Sequence, residues 1–234
     1  MKINEVLILA GGLGSRLRGV VPDLPKPLAP VNGKPFIFYI LDFWMNQGIN
    51  KFILAIGYKH ELIIKEIKRS KFSNFVDFSI EEELLDTGGA ILKCLPQIKG
   101  NNFIVQNGDT YIPIRLKTLL KKYKELSNKT IFVATVAGED EDRYKLLIID
   151  ESGLITEDFN LEGKRGINSG LYIFNKLKIS KIGYPMEEKI SFEKVILNDL
   201  IIKKECSGAF FNSLFLDIGV PEDYNKAQFM LKEA

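Results

Sequence analysis

Arg16, Lys26, Asp109 and Asp217 are the charged residues whose surroundings point to chemistry, and together they could hold a polyphosphate and a hard cation. The run Val6-Leu7-Ile8-Leu9-Ala10-Gly11-Gly12-Leu13-Gly14-Ser15-Arg16-Leu17, followed by Pro25-Lys26-Pro27, reads as a buried strand entering a glycine loop with two basic side chains. Glycines at 11, 12 and 14 let backbone N–H groups come closer to phosphate oxygens than a Cβ permits. Arg16 and Lys26 add fixed charge. The loop is not a P-loop, because no lysine follows Gly14 at the required spacing. Nor is it a dinucleotide fingerprint, because Leu17 stands where the third glycine belongs.

Asn107-Gly108-Asp109-Thr110 directly follows the apolar run at 103–105. A carboxylate at the carboxyl end of a strand points into the crevice where open α/β sheets bind ligands. Leu216-Asp217-Ile218-Gly219-Val220-Pro221 repeats the arrangement: an apolar run, an aspartate, then a turn into a helix. Two such aspartates could share one cation, since Mg²⁺ is usually held by one or two carboxylates plus substrate phosphates. Taken singly, each is equally well a turn residue. The loop Glu83-Leu84-Leu85-Asp86-Thr87-Gly88-Gly89-Ala90 enters a helix and offers bare backbone to a base or phosphate. Asp86 or Thr87 serves equally well there as a helix cap.

These groups need a frame to position them. The chain has 234 residues, 46% of them hydrophobic, and suits one compact α/β domain over 1–234. Its 32 Lys and Arg against 30 Asp and Glu leave a net charge of +2, too weak a field to imply nucleic acid or membrane partners. Apolar runs at 6–10, 52–56, 76–80 and 103–105 alternate with helical patterns at 36–47, 62–69, 88–95 and 116–126. That alternation predicts a doubly wound, mostly parallel sheet with helices on both faces. Gly48 is placed to end the first long helix, and five prolines between 22 and 35 predict an ordered excursion without helix. Beyond the run at 130–137 the pattern loosens. Further strands are predicted at 145–149, 171–174 and 210–216, and Pro221 opens a last helix. Trp44 reads as core, His60 as a solvated capping residue, and the short runs at 121–124, 139–142, 187–188 and 203–204 as surface. Cys94 and Cys206 have no metal-ligand spacing, and no apolar run reaches a membrane span, so reduced thiols in a cytoplasmic protein are expected.

Taken together, the segments Leu9 to Leu17, Pro25-Lys26-Pro27, Thr87-Gly88-Gly89, Asn107 to Thr110, Asn168-Ser169-Gly170-Leu171-Tyr172 and Asp217 to Tyr224 resemble the sugar-1-phosphate nucleotidyltransferase family, in family order. Asp142-Arg143-Tyr144 and Ile190-Ser191-Phe192-Glu193 are most similar to its D-glycero-D-manno-heptose 1-phosphate guanylyltransferases. The resemblance implies a Rossmann-like fold and transfer of a nucleoside monophosphate from an NTP, GTP above others, to a sugar 1-phosphate. It implies that Leu9, Ala10, Gly11, Gly12, Gly14, Ser15, Gly88, Asn107 and Gly108 lie against the nucleotide. Arg16 would grip the leaving phosphates, Lys26 would sit by the α-phosphate, and Asp109 and Asp217 would hold Mg²⁺. Asn168, Gly170 and Lys164 would meet the sugar phosphate. Ser15 replaces the family's commoner Thr, and Leu84 and Asp86 stand where many relatives carry Pro and Gly, which leaves UTP or CTP open beside GTP. A silent nucleotide-binding relative and an NAD-type oxidoreductase are the competing readings. Intact charged residues oppose the first, and Leu17 opposes the second. A homo-oligomer is left open.

Overall fold

The computed structural model describes residues 2–126, 129–137, 143–157, 160 and 162–232. The chain begins with β1 (Glu5–Leu9), then a short hairpin of β2 (Pro30–Val31) and β3 (Lys34–Pro35), and α1 (Phe36–Met45). There follow β4 (Lys51–Ile56), α2 (His60–Lys68), β5 (Val76–Ile80), α3 (Asp86–Cys94), β6 (Asn102–Asn107), β7 (Thr110–Tyr111) and α4 (Leu116–Glu125). The second half adds β8 (Ile131–Val136), β9 (Leu146–Ile149), β10 (Ile155–Thr156), β11 (Lys164–Asn175) and α5 (Lys176–Lys181). A π-helical turn (Phe192–Leu197) runs into α6 (Asn198–Ile202), and β12 (Cys206–Phe211), β13 (Leu216–Asp217) and α7 (Pro221–Met230) close the chain.

Strands β5, β4, β1 and β6 lie side by side and parallel, with Leu9 level with Ala55 and Asn107. All four therefore end on one edge of the sheet. The expected α/β fold with a mostly parallel sheet forms, and β11 makes it mixed by running antiparallel to β6, β8 and β9. Because β11 enters where β6 leaves, its polar Asn168 and Ser169 arrive at the same edge as Asn107. Alternation along each strand fills two cores. Val6, Ile8, Leu54 and Ile104 face α1, α2, α4 and α7, whereas Leu7, Ile53, Phe103 and Val105 face α3, α6 and the π-turn. Among the described residues no helix is long and apolar enough to cross a membrane.

Several local expectations hold and others shift for identifiable reasons. Gly48, at φ 88°, ends the first helix in the left-handed turn that favours glycine. Trp44 is fully buried and donates its indole N–H to Gln106 at 2.6 Å, and Gln106 in turn donates to the Thr110 carbonyl at 2.8 Å. This chain of bonds ties α1 to the segment carrying Asp109. The proline excursion does hold one 3₁₀ turn, Lys26–Leu28, because Pro27 takes a first-turn position where no N–H is required. The strand predicted at 171–174 is the end of a twelve-residue strand whose polar first half hid the alternation. That predicted at 210–216 breaks in two, since the chain leaves the main sheet after Phe211 to pair with β7. The π-turn, α5 and α6 carry no clean helical period, so the sequence pattern does not predict them. His60 opens α2, but Lys59 takes the capping position. The run at 139–142 lies outside the described residues.

Gly88 donates its N–H to the Ile190 carbonyl at 2.8 Å, and a Cβ there would lie 2.7 Å from that same oxygen. Gly88→Ala must therefore push the start of α3 off the segment before the π-turn. The expected loss is about 1–3 kcal/mol of unfolding free energy, as for other overpacked sites. Urea denaturation checks it, and a change within about 0.5 kcal/mol would contradict the packing argument.

Candidate active site

The parallel strands deliver their loops to one edge, and the glycine turn after β1, the acid after β5 and the Asn107-Gly108-Asp109 turn after β6 line a single cavity of about 420 Å³. A second cavity, of about 220 Å³, lies on the β11 side. Leu9, Arg16, Thr87, Asn107 and Asp109 line both, so the two are lobes of one site.

Asp217 joins this site through a two-residue ladder. β13 pairs antiparallel with β7, Asp217 opposite Thr110, and the Ile218 N–H donates to the Asp109 carbonyl at 3.0 Å. Lys26 then stands between the two acids, with Nζ 2.5 Å from Asp109 Oδ2 and 3.7 Å from Asp217 Oδ1. Burial pushes the Asp109 carboxyl upward, but the charge and hydrogen bond of Lys26 outweigh it and hold its pKa below the usual carboxylate value. Asp217 is further held by the Gly219 N–H at 2.6 Å, by Arg143 Nη2 at 2.9 Å and by the Tyr144 hydroxyl at 3.0 Å. Arg143 also bridges to Asp223 in the first turn of α7.

Of the residues expected at the nucleotide, Leu9, Ala10, Gly11, Gly12, Gly14, Ser15, Arg16, Lys26, Asn107, Gly108 and Asp109 all line the larger lobe. Asn168 and Asp217 line the smaller. Three of the expected residues line neither lobe. Gly88 faces away from the cavity, its N–H consumed by Ile190, and Asp86, Thr87 and Ala90 take its place in the wall. Gly170 lies behind Asn107 at a β-bulge with φ 73°, where a Cβ would meet the Asn107 amide nitrogen at 2.4 Å, so it seats Asn107 and lines neither lobe. Lys164 is exposed at the start of β11, opposite Ile149, and lines neither lobe. The exposed Lys189 borders the larger lobe, and Arg143 the smaller.

Two further acids stand at the site: Glu81, not singled out from the sequence, and Glu193, named there only within the segment Ile190 to Glu193. Glu81, 7% exposed, follows β5 on the same edge. One of its oxygens accepts the Leu85 N–H at 3.0 Å, and the other packs against Gly11, where a Cβ would lie 2.7 Å away. Its signal, an acid directly after an apolar strand, is the one that singled out Asp109. Burial raises its pKa, with the Leu85 N–H pulling the other way. Glu193 stands on the π-turn, where Ser191 Oγ caps the Lys194 N–H and Asn168 Nδ2 lies 3.3 Å from its Oε1. Protein packed behind it raises its pKa, with Lys145 opposing. Phe192, Tyr172, Tyr144 and Phe215 give the smaller lobe aromatic walls beside these polar groups. The site thus offers a cationic glycine turn, a paired-acid corner and a second lobe rich in acceptors. Such a set can neutralise a triphosphate and hold a polyol phosphate beside it.

The Nucleotidyl transferase family pattern matches residues 5–233, nearly the whole chain. The D-glycero-alpha-D-manno-heptose 1-phosphate guanylyltransferases of Aneurinibacillus thermoaerophilus and Campylobacter jejuni are each 38% identical to it. The matches cover 96% and 94% of this chain and 96% of each relative. The crystal structure of HddC from Yersinia pseudotuberculosis complexed with GMP-PN superposes with a TM-score of 0.82 at 35% identity, covering 98% of this chain and all of that one. The chain belongs to the nucleotidyl transferase family. It is an enzyme of the sugar-1-phosphate branch, whose members join a nucleotide to a sugar phosphate.

Glu81 places a carboxyl where burial disfavours its charge, so its ionisation in the folded chain lags that in the unfolded chain. Between the ordinary value of 4.5 and the raised folded value, the folded state binds more protons, and stability falls as pH rises. Glu81→Gln, which keeps an acceptor for Leu85, removes that slope. The ligand-free variant is expected to gain stability relative to the parent as pH climbs above about 4.5, read by thermal melting across pH. A difference that does not vary with pH would contradict the assignment.

Proposed function

We propose that the enzyme transfers GMP from GTP to D-glycero-α-D-manno-heptose 1-phosphate, releasing pyrophosphate and GDP-heptose, as one catalytic unit over 1–234. The observation that carries the choice of base is Glu81. An ionised carboxylate is acceptor-only, with two oxygens side by side, and guanine is the base whose pairing edge presents two neighbouring donors, N1–H and the 2-amino group. Beyond its bond from Leu85, such an acceptor is left partly unpaired, at a cost of about 1–3 kcal/mol, when the base lacks those donors. The two guanylyltransferase relatives and the GMP-PN complex of the Yersinia protein support the same reading. The acceptor-rich smaller lobe, with Asn168 and Glu193, suits a sugar bearing free hydroxyls.

The chemistry asks little of a general base. A phosphate monoester has a second pKa of about 6, so the sugar phosphate is already a dianion at neutral pH. Its oxygen attacks the α-phosphorus while the bond to the β-phosphate oxygen breaks, and pyrophosphate leaves with the electron pair. Arg16, reaching both lobes, neutralises the departing phosphates, and Lys26 stands where the α-phosphate charge builds up. Among the described residues no group of three metal-ligating side chains forms, but Asp109 and Asp217 meeting at one ammonium are a donor pair of the kind Mg²⁺ uses with substrate phosphates. Bound there, Mg²⁺ would supply charge neutralisation on the triphosphate. Both cysteines are buried and unpaired, which fits work in a reducing cytoplasm where GTP is made.

A pyrophosphate-release screen of four NTPs against several sugar 1-phosphates tests this. GTP with the heptose phosphate should be fastest, and Asp109→Asn should lower turnover about 10²–10³-fold with its circular dichroism unchanged. Equal rates with every base would sink the guanylyl assignment, and near-normal turnover of the variant would remove Asp109 from the chemistry.

A further inference from the structure

Lys164, expected at the second substrate's phosphate, does not line the smaller lobe. The smaller lobe, where the sugar phosphate belongs on the reading above, has two cationic side chains in its described wall, Arg16 and Arg143. Arg16 projects from the glycine turn and also lines the nucleotide lobe, so its charge is committed to the triphosphate. Arg143 differs. Its guanidinium is mostly buried, one nitrogen against Asp223 at the start of α7 and another 2.9 Å from Asp217, the carboxylate that faces Lys26. Tyr144 packs beside it, with the guanidinium carbon 4.9 Å from the ring centre, and the Tyr144 hydroxyl shares the same Asp217 oxygen. A planar guanidinium held at one end by Asp223 keeps its orientation when the other end changes partner, which an ammonium cannot do.

We propose that Arg143 is the cation that receives the phosphate of the sugar 1-phosphate, exchanging its contact with Asp217 for that phosphate while Asp223 keeps it in place. The exchange follows from charge. In the ligand-free chain Asp217 is matched by Arg143 and Lys26, so a divalent cation competes with two resident positive groups for that carboxylate. Binding of a cation and a triphosphate gives Asp217 and Lys26 new partners and frees the Arg143 nitrogens for a second anion.

The proposal rests on the transferase reading, and the test separates the two. Manganese binding to the substrate-free protein is followed by electron paramagnetic resonance, and KM for GTP and for the heptose 1-phosphate by pyrophosphate release, in the parent, Arg143→Lys and Arg143→Gln. The sugar-phosphate KM should rise about tenfold in Arg143→Lys and about a hundredfold in Arg143→Gln, in line with loss of one or two charge-assisted bonds. KM for GTP should stay within about twofold, and manganese affinity should be no weaker than in the parent, because a competitor has been removed. If Arg143→Gln does not fold, Arg143→Lys decides alone. An unchanged sugar-phosphate KM overturns the proposal. So does weaker manganese binding with both KM values rising together, which would make Arg143 a prop for Asp217. A parent that binds manganese and releases no pyrophosphate would fault the transferase reading instead.

Discussion

Two like charges drawn from distant parts of the chain are held at one corner, and every other feature of the site depends on that. Carboxylates a few ångström apart near a protein surface repel by about 4 kcal/mol, so Asp109 and Asp217 stay together only because something fixes the backbone and something neutralises the charge. The backbone is fixed by the short ladder of β7 with β13, and by the bond from Ile218 to the Asp109 carbonyl. The neutralising is done by Lys26 between the acids and by Arg143 outside them. Each cation is in turn one a phosphate could take. The ligand-free site is therefore an internally balanced set of charges waiting for a differently balanced one.

Around that corner the fold acts as a rigid holder. Parallel β1, β4, β5 and β6 end level with one another, so the loops that follow them converge without any long-range search. Trp44 and Gln106 clamp the stem of the Asp109 turn to a buried helix, and Gly170 lets β11 press against Asn107. Glu81 is kept at the expense of stability, as polar groups in binding sites commonly are. Burial discourages its carboxyl from ionising, with Asp86 adding to that and the Leu85 N–H and Lys93 opposing it.

Much of this was legible from residue order. The glycine turn and Asp109 stand out because each follows an apolar run, and parallel strands send such positions to one edge. Asp217 also follows an apolar run but arrives on the antiparallel β13, and Lys26 stands out by its place between two prolines after the glycine turn. The four long helices and the parallel strands were legible for the same reason, a clean period. What residue order does not give is which distant segments the remaining site residues meet. Glu81 carries the same signal as Asp109, an acid directly after an apolar strand, but stands first in a run of three acids. Arg143 matters through partners 74 and 80 positions away in sequence, Asp217 and Asp223. The π-turn bearing Glu193 has no periodic pattern, and Gly88 and Lys164 were placed by likeness to relatives, although Leu84 and Asp86 beside Gly88 already depart from them. Packing of the segment around Ile190 onto α3 decided Gly88, and that contact is invisible along the chain.

The most direct test is anomalous diffraction from crystals of the protein grown with Mn²⁺ and a non-hydrolysable GTP analogue. The account predicts one metal peak bonded to carboxylate oxygens of both Asp109 and Asp217 at roughly 2.2 Å, with Lys26 moved off Asp109 onto a phosphate oxygen. A peak on one acid alone, or Lys26 still paired with Asp109 while nucleotide is bound, would contradict it.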